Sequence, residues 1–394
     1  MALTALTLRP VETEFLGSVS RPLLLVASVP MVWIVFQVLP LQIVAHPIWA
    51  SAGAALGRSI IGAASIDPAA SFIGLGQYIS LCGFSLLCGA VAVDRQRAEW
   101  VLFALAAAGA AIGLIVIWNG VVLDDVALSA FTLTQAIDCT ALGAIAASTS
   151  LIRTIERFET RRSNPLRSLG SIVTAFTISS AALAICVAVL AAEGARGELF
   201  AAGCGLAALA FVTIVRRAGF GPWGTVGVAL PMLVVAAVFV LAQPPEHGKS
   251  FLLAFATDDG ASAVAISARV LEDTPLAGTG AETFAAIAPI YREAGDTPAG
   301  PVAATAAADL AIELGRPMAA LVLAAAIAAI VTLMRAALQR GRDSFYPAMG
   351  ASALITSCLL AFMNGGLSGN ASGLMIAGIF GLAAVQRQSR TVRP

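Results

Sequence analysis

Charged residues are scarce in this chain of 394 amino acids. Asp, Glu, Lys and Arg together make up 12% of the sequence, whereas hydrophobic residues make up 59%. The mean hydropathy of +0.89 lies far above that of a soluble globular domain, so a soluble protein is excluded. The 23 basic and 23 acidic residues balance to a formal charge of zero. We therefore expect no nucleic-acid partner, which would normally require a basic surface.

The chain also has few residues of the kinds that form disulfides or bind metals. Its six cysteines have no paired metal-ligand spacing and all fall in apolar segments: Cys82, Cys88, Cys139, Cys186, Cys204 and Cys358. We interpret them as small packing residues and expect neither a disulfide nor a metal or other cofactor. The only two histidines, His46 and His247, lie outside the apolar segments. Each is either a candidate general base or a solvated loop residue.

Long apolar segments, by contrast, are abundant. About ten of them approach the roughly 20 residues that a helix needs to cross a bilayer. They cover residues 22–45, 72–93, 100–118, 132–152, 169–191, 199–215, 225–242, 317–334, 345–364 and 372–385. The sequence therefore predicts an all-α, polytopic membrane helical bundle. Its predicted parts are an N-terminal membrane bundle of seven spans (1–242), a long outer helical segment (243–316) and three C-terminal spans (317–394).

Arginines mark alternate connections between the apolar segments. The clusters are Arg95 and Arg97; Arg153, Arg157, Arg161, Arg162 and Arg167; Arg216 and Arg217; Arg335, Arg340 and Arg342; and Arg387, Arg390 and Arg393. By the positive-inside rule these connections are cytoplasmic. Both termini are then cytoplasmic, and the long polar segment between the seventh and eighth spans faces outward. The first apolar segment is too long for the core of a cleaved signal peptide, so we expect it to be retained.

The first outer connection, residues 46–71, is predicted to lie along the membrane face. It contains a run of small residues that favours a short interfacial helix, which we expect Pro68 to end. Trp49 lies at its boundary, where an interfacial aromatic anchor is expected. Arg58 is either a solvated, snorkelling charge or a ligand for an anionic headgroup.

The long outer segment is predicted to form an ordered helical cap. A first helix is indicated by the helical spacing of Ala263, Ile266, Val270 and Leu271. The glycine-rich turn that begins at Pro275 ends this helix, and a second helix is expected to begin near Glu282. A third helix, residues 303–314, carries Asp309 and Glu313 four residues apart, so both carboxylates share one face.

Two short motifs in the cap suggest a family. The cap contains the run Pro275-Leu276-Ala277-Gly278-Thr279-Gly280, then Phe284 and Tyr291, and it ends with Glu313-Leu314-Gly315. In this position between two spans, the pattern resembles the outer loop of the O-antigen ligase and O-antigen polymerase superfamily, which reads P-L-x-G-x-G, an aromatic residue, and E-L-G before the next span. The first outer loop, with Pro47-Ile48-Trp49 and Asp67-Pro68, is also similar. The resemblance implies a GT-C-like helical fold.

The resemblance further implies glycan transfer at the outer face of a bacterial inner membrane, by an inverting, metal-independent route. The donor would be an undecaprenyl-pyrophosphate-linked saccharide, and the acceptor would be a sugar hydroxyl. Membrane lipids would surround the protein. Family loops usually carry an arginine before the first motif, where this chain has Asp259-Gly260-Ala261. They commonly carry a histidine before E-L-G, where this chain has Val302-Ala303-Ala304-Thr305. A noncatalytic family member, or a transporter or flippase for a lipid carrier or small solute, therefore stays open beside the enzyme.

The chemistry that the resemblance implies defines a set of candidate site residues. A pyrophosphate leaving group needs cationic or hydrogen-bonding partners, and an acceptor hydroxyl needs positioning and a base. The candidates for catalysis are Arg269, His247 and Glu313. The candidates for substrate binding are Arg58, Arg292, Gly278, Gly280, Tyr291 and Asp309.

Several of these candidates also have a purely structural interpretation. Arg269 is spaced to form a salt bridge with Asp273, four residues on. Asp309 and Glu313 precede Arg316 and can serve as structural carboxylates at a helix end. The two glycines of the first motif permit a tight turn, whether or not their amides meet phosphate.

One carboxylate falls inside a predicted span. Asp138 follows Thr134 and Gln135 within the segment 132–152. An ionisable residue at such a depth is costly and marks a functional-site candidate. The alternatives are a hydrogen-bonded packing role and a span shifted so that Asp138 nears the outer surface.

Overall fold

The computed structural model describes residues 10–122, 128–161, 169–193, 196–218, 250–256, 261–296, 300–339 and 343–387. Every regular element in these ranges is a helix. Several sequence predictions lie outside the described residues: the span at 225–242, the candidate base His247, and the first part of the cap, residues 243–249. The same holds for Asp259-Gly260 and for the cluster arginines Arg162, Arg167, Arg340, Arg342, Arg390 and Arg393.

The described chain forms thirteen α-helices. They are α1 (Pro10–Val38), α2 (Ile48–Leu56), α3 (Pro68–Val91), α4 (Arg95–Val122), α5 (Ala130–Arg161), α6 (Leu169–Ala192), α7 (Arg196–Ala218), α8 (Ala261–Asp273), α9 (Phe284–Ile287), α10 (Ala306–Glu313), α11 (Arg316–Gln339), α12 (Phe345–Ala361) and α13 (Asn370–Gln386). Of these described helices, seven are long and apolar enough to cross a membrane: α1, α3, α4, α5, α6, α7 and α11. The prediction of a multi-pass helical membrane protein is confirmed.

Helices α12 and α13 are apolar but shorter than the other candidate spans. Each has 17 residues, fewer than the roughly 20 that a bilayer core requires. The total of about ten spans and the GT-C-like arrangement therefore stay predictions.

The first outer connection contains the short helix that the sequence predicted. This helix, α2, ends at Leu56, and Gly57 follows with a φ of 63° that reverses the chain. The role predicted for Pro68 was wrong, because Pro68 begins α3 instead of ending α2. Asp67 caps that start, with one carboxylate oxygen accepting hydrogen bonds from the Ala69 and Ala70 amides at 3.0 and 3.1 Å. A proline suits the first position of a helix, where its missing amide proton is not needed.

Helix α5 occupies the centre of the bundle and packs against α4, α6, α7, α12 and α13. Small residues let its neighbours approach. Gly109 of α4 and Gly143 of α5 face each other so closely that a Cβ atom on either would overlap the backbone of the other. Leu142 and Ile145 are fully buried in the surrounding core.

The cap is helical where it is described and has a hydrophobic core of its own. Its fully or nearly fully buried side chains include Leu253, Val264, Ile266, Val270, Leu271, Phe284, Ile287 and Ile312. The predicted second helix is short: α9 gives way to a 3-10 turn, Ala288–Tyr291, at Pro289, which cannot donate an amide hydrogen bond. The predicted third helix begins at Ala306, because the Thr305 hydroxyl accepts from the Ala308 amide at 3.1 Å and caps it.

Ion pairs join the ends of α4 and α5 on the side that carries the arginine clusters. Arg153 and Arg157 of α5 both bind the Glu99 carboxylate of α4. Arg95 binds Asp343 at 2.7 Å, next to the start of α12. Arg153 is almost fully buried, and its guanidinium lies over the Phe345 ring. These arginines, which the sequence assigned to orientation, therefore also hold helices together.

Candidate functional site

The two motifs that carry the family resemblance lie against each other at the junction of the cap and the membrane bundle. The Thr279 amide donates to the Ile312 carbonyl at 2.9 Å, and the Gly280 amide donates to the Glu313 carbonyl at 3.0 Å. The P-L-A-G-T-G turn and the E-L-G segment are thus joined backbone to backbone. We name the contact between residues 275–281 and 312–315 the cap junction.

Glycine is required at three positions of the cap junction. Gly278, Gly280 and Gly315 have φ values of 80°, 113° and 87°, which residues with a side chain rarely adopt. A Cβ atom on Gly278 would overlap the Glu313 carbonyl oxygen, and one on Gly280 would overlap the Ser65 hydroxyl. The Gly278 amide donates to the Pro275 carbonyl at 2.9 Å. Because both amides of the candidate phosphate-binding glycines have partners within the chain, these residues fit the turn interpretation.

Two side chains of α1 fasten the cap junction to the bundle. The Gln37 Nε2 atom donates to the carbonyl oxygens of Ala277 and Glu313 at 2.7 and 2.8 Å. The Trp33 indole donates to the Leu314 carbonyl at 2.8 Å. Sequence reasoning missed both residues, although a glutamine inside an apolar span is a signal for an interhelical hydrogen bond.

The first outer connection completes the junction. The Ile66 amide donates to the Thr279 carbonyl at 2.8 Å. The Ser65 and Ser71 hydroxyls lie 2.8 Å apart, and Ser71 donates to the Ala281 carbonyl at 3.0 Å. Segments from three distant parts of the sequence therefore meet at the cap junction.

Three carboxylates lie at or next to the cap junction. Asp309 is buried, and its Oδ1 atom accepts from the Ala303 amide at 3.1 Å. Burial raises the pKa of Asp309 to about 6. Burial, with the neighbouring Asp309 charge, holds the pKa of Glu313 well above its ordinary value. Burial also raises the pKa of Glu282, which adopts a φ of 61° and packs against Gly74 of α3. The predicted shared face of Asp309 and Glu313 is thus part of an acidic group.

Arg269, the leading candidate for pyrophosphate binding, forms ion pairs within the cap. It binds Glu293, and its Nη2 atom contacts an Asp296 carboxylate oxygen at 2.6 Å. The hydrogen bonds with Glu293 and then Asp296 raise the pKa of Arg269. The salt bridge that the sequence suggested with Asp273 is replaced by these pairs, and the Asp273 carboxylate instead hydrogen-bonds Tyr291.

The remaining basic candidates lie on exposed parts of the cap and first loop. Arg292 is exposed, and its Nε atom donates to the Asp296 carbonyl at 3.0 Å. Arg58 is also exposed and lines a shallow surface depression of about 460 Å³ beside Trp49. Burial lowers the pKa of His46, whose Nδ1 atom accepts from the Ile48 amide at 3.4 Å.

The basic and acidic candidates form separate groups. In the described part of the chain, no hydrogen bond or ion pair joins Arg58, Arg269 or Arg292 to Asp309 or Glu313. Arg316, which the sequence placed next to the carboxylates, donates to the Leu271 carbonyl at 2.8 Å. The site that the structure brings together is therefore acidic, at the cap junction, and Arg269 lies elsewhere in the cap.

Asp138 is fully buried and hydrogen-bonded, which fits the packing interpretation, and its depth in the membrane stays a prediction. The Asn364 side-chain amide donates to Asp138 and to Glu198, each at 3.1 Å. Sequence reasoning missed Glu198 and Asn364, since each stands at the end of an apolar run where a solvated polar residue is ordinary.

Comparison with known proteins finds no matching family, no matching curated protein and no matching solved structure.

Proposed function

We propose that the chain is a membrane glycan polymerase- or ligase-like protein of O-antigen or exopolysaccharide assembly. It transfers a saccharide from an undecaprenyl-pyrophosphate carrier to an acceptor sugar at the outer face of a bacterial inner membrane. The observation that supports this most is the cap junction, where the P-L-x-G-x-G and E-L-G motifs form one backbone-bonded unit on top of the bundle. Thr279 and Ile312, which join the two motifs, are 33 residues apart in sequence, so the contact is not a consequence of local spacing.

The acceptor chemistry is assigned to the carboxylates of the cap junction. The acceptor hydroxyl attacks the anomeric carbon and loses its proton as the bond to the pyrophosphate breaks. A carboxyl group with a pKa of about 6, such as Asp309, is ionised at neutral pH yet still close to the range in which it takes up a proton. Glu313, whose carbonyl and side chain both belong to the junction, positions the hydroxyl beside it.

The leaving pyrophosphate is assigned to Arg269. Its present partner Glu293 is 74% exposed, and an exposed ion pair contributes little, so a phosphate group displaces it at small cost. The Arg269 Nε atom is buried without a hydrogen-bond partner and adds a donor for an anion. Arg292, four residues before Asp296, lies in the same segment.

A test is the accumulation of undecaprenyl-linked repeat units in a strain that lacks this protein. We expect accumulation in the deletion strain, its reversal by the wild-type gene, and no reversal by Arg269→Gln or Glu313→Gln. Glu272→Gln, which changes an exposed carboxylate on the same helix as Arg269, is the matched control and should restore the wild-type level. The proposal fails if the deletion strain accumulates no lipid-linked saccharide.

A second candidate function is a noncatalytic role in the same assembly. It is favoured by the ion pairs that already neutralise Arg269 and by the chain-internal hydrogen bonds of the Gly278 and Gly280 amides. In this case Arg269→Gln and Glu313→Gln, made together, should still reverse the accumulation. A transporter or flippase is the third alternative, and it would rest on the buried polar group around Asp138.

A further inference from the structure

Two buried carboxylates share one amide inside the helical bundle. Asp138 belongs to α5, Glu198 to the first turn of α7, and Asn364 follows the end of α12. The Asn364 Nδ2 atom donates to Asp138 Oδ1 and to Glu198 Oε1, both at 3.1 Å. The Gly366 amide donates to Asn364 Oδ1 at 3.0 Å, which fixes the orientation of the asparagine and directs its NH₂ group at the two acids.

Each of the two carboxylates has one oxygen without a hydrogen-bond partner. Asp138, Asn364 and Glu198 are 0%, 3% and 4% exposed. The second oxygen of each acid, Asp138 Oδ2 and Glu198 Oε2, is buried without a hydrogen-bond partner. Two adjacent negative charges in an apolar interior are strongly disfavoured, so the group needs a bound positive charge.

No side chain of the described helices supplies that charge. The charged and titratable groups nearest the pair are the acids themselves, the Cys139 thiol beside Asp138, and Asp309 of the cap, which hydrogen-bonds Ser368 in the loop after Asn364. Arg196, on the same helix as Glu198, is exposed. Helices α6, α12 and α13 contain no charged residue. The charged residues of α4 are near its start and those of the rest of α5 are near its end, far along the helix from Asp138: Arg95, Arg97, Glu99, Arg153, Glu156, Arg157, Glu159 and Arg161.

The geometry favours a proton over a metal ion. Hard cations take six or more oxygen ligands, whereas the two unpartnered carboxylate oxygens are the acceptors that this group leaves open. The described residues contain no group of three or more metal-binding side chains. The Asn364 amide oxygen accepts from Gly366, whereas its NH₂ group is the part directed at the two acids.

We propose that Asp138 and Glu198 form a proton-binding site in which the two carboxylates share one proton. The site is connected to the cap, since the Asn364 carbonyl accepts from the Ala306 amide at 2.8 Å at the start of α10. Loss of the proton leaves two like charges around the Asn364 amide, displaces the loop, and loosens α10. The proposal does not depend on which substrate the cap handles.

Infrared spectroscopy of the full-length protein in lipid nanodiscs tests the shared proton. At neutral pH we expect a protonated-carboxyl C=O component, in addition to any from Glu313, that is lost in Asp138→Asn and equally in Glu198→Gln, because the site accepts one negative charge beside the Asn364 amide and the remaining carboxyl carries it. Glu193→Gln, at an exposed position just before α7, is the matched control and should retain the component. Loss of the component in neither variant, or in only one, overturns the shared proton. A component that appears only when sodium is replaced by choline would assign the site to a metal cation and overturn the proposal.

Hydrogen exchange of the unmodified protein provides a measurement that does not depend on whether the variants fold. Asp309 ionises as pH rises to about 6, so the informative range lies above it. In that range we expect the protection of α10, relative to that of α11, to fall as rising pH removes the shared proton. A ratio that stays constant there, while the protein remains folded, contradicts the coupling between the site and the cap.

Discussion

The side chain of Gln37 holds the carbonyl oxygen of Glu313 at 2.8 Å, although 276 residues separate them. The same nitrogen donates to Ala277, so one buried amide of α1 binds both halves of the cap junction. Hydrogen bonds of this kind are made in a region of low water content, where the unpaired alternative is costly. The first helix of the bundle is therefore an integral part of the cap junction.

Gln37→Leu should lower the thermal unfolding midpoint of the protein in detergent. The substitution keeps a similar volume but removes the side-chain donor of the Ala277 carbonyl and leaves the Glu313 carbonyl with the Gly280 amide alone, at a total cost of about 1–3 kcal/mol. Gln42→Leu changes an exposed glutamine and serves as the control. Equal midpoints for the two variants would show that the Gln37 hydrogen bonds do not stabilise the junction.

Gly278→Ala should destabilise the cap more than Gly295→Ala does. Both glycines have a positive φ, so each alanine carries backbone strain of roughly 1–3 kcal/mol. Only at position 278 does the added Cβ also overlap a neighbouring carbonyl oxygen, since nothing lies within 4 Å of it at position 295. The rate of limited proteolysis of the cap measures which variant is less stable. Gly203→Ala, in an open helical position, is the reference. A Gly295 variant that is cut as fast as the Gly278 variant would contradict the close approach.

Local sequence patterns predicted the helices of this protein better than the contacts between them. At α6, the apolar run predicted both ends of the helix to within a few residues. The spacing of Ile266, Val270 and Leu271 predicted the buried face of α8. Asp309 and Glu313 share a helix as expected. These features depend on residues three or four apart, which one sequence displays directly.

The cap junction and the buried acids depend on contacts between distant residues. Nothing in the sequence near Gln37 indicates that it meets Ala277, and nothing near Glu198 indicates that Asn364 joins it to Asp138. Arg269 shows the same limit, because the expected partner at four residues was displaced by Glu293 and Asp296 from the next loop. Such pairings are set by tertiary packing and leave no periodic signal.

Stability of the cap should decrease as pH rises from about 4 to about 6. The pKa of Asp309 is raised by burial from 3.8 to about 6, so its contribution is fully present below the unfolded value and is lost as pH rises through the folded one. At about 1.4 kcal/mol per pKa unit, the loss is on the order of 3 kcal/mol. Hydrogen exchange of α10 at several pH values measures this loss, and Asp309→Asn should flatten the profile between about pH 4 and about pH 6. A cap that becomes more stable over this range would contradict the burial of Asp309.

Membrane-impermeant thiol reagents should label the cap and the arginine-rich end from opposite sides. Ile290 in the cap is 68% exposed, and Phe158 near the end of α5 is 54% exposed, so a cysteine at either position is accessible. If the arginine clusters are cytoplasmic, Ile290→Cys reacts in intact cells and Phe158→Cys reacts only after permeabilisation. The unsubstituted protein, whose six cysteines lie in helices, is the background control. Reversed labelling would place the cap in the cytoplasm and remove it from the lipid-linked saccharide.

Glu99→Gln should destabilise the bundle more than any exposed carboxylate substitution. Glu99 neutralises Arg153, which is 4% exposed, and Arg157 beside it. Breaking one partner of a buried ion pair leaves an uncompensated charge and typically costs about 3–5 kcal/mol. The thermal midpoint should fall for Glu99→Gln and recover in part when Arg153→Met removes the stranded charge, whereas Glu193→Gln should leave it unchanged. If the double variant is no more stable than Glu99→Gln alone, the loss does not arise from the unpaired Arg153 charge.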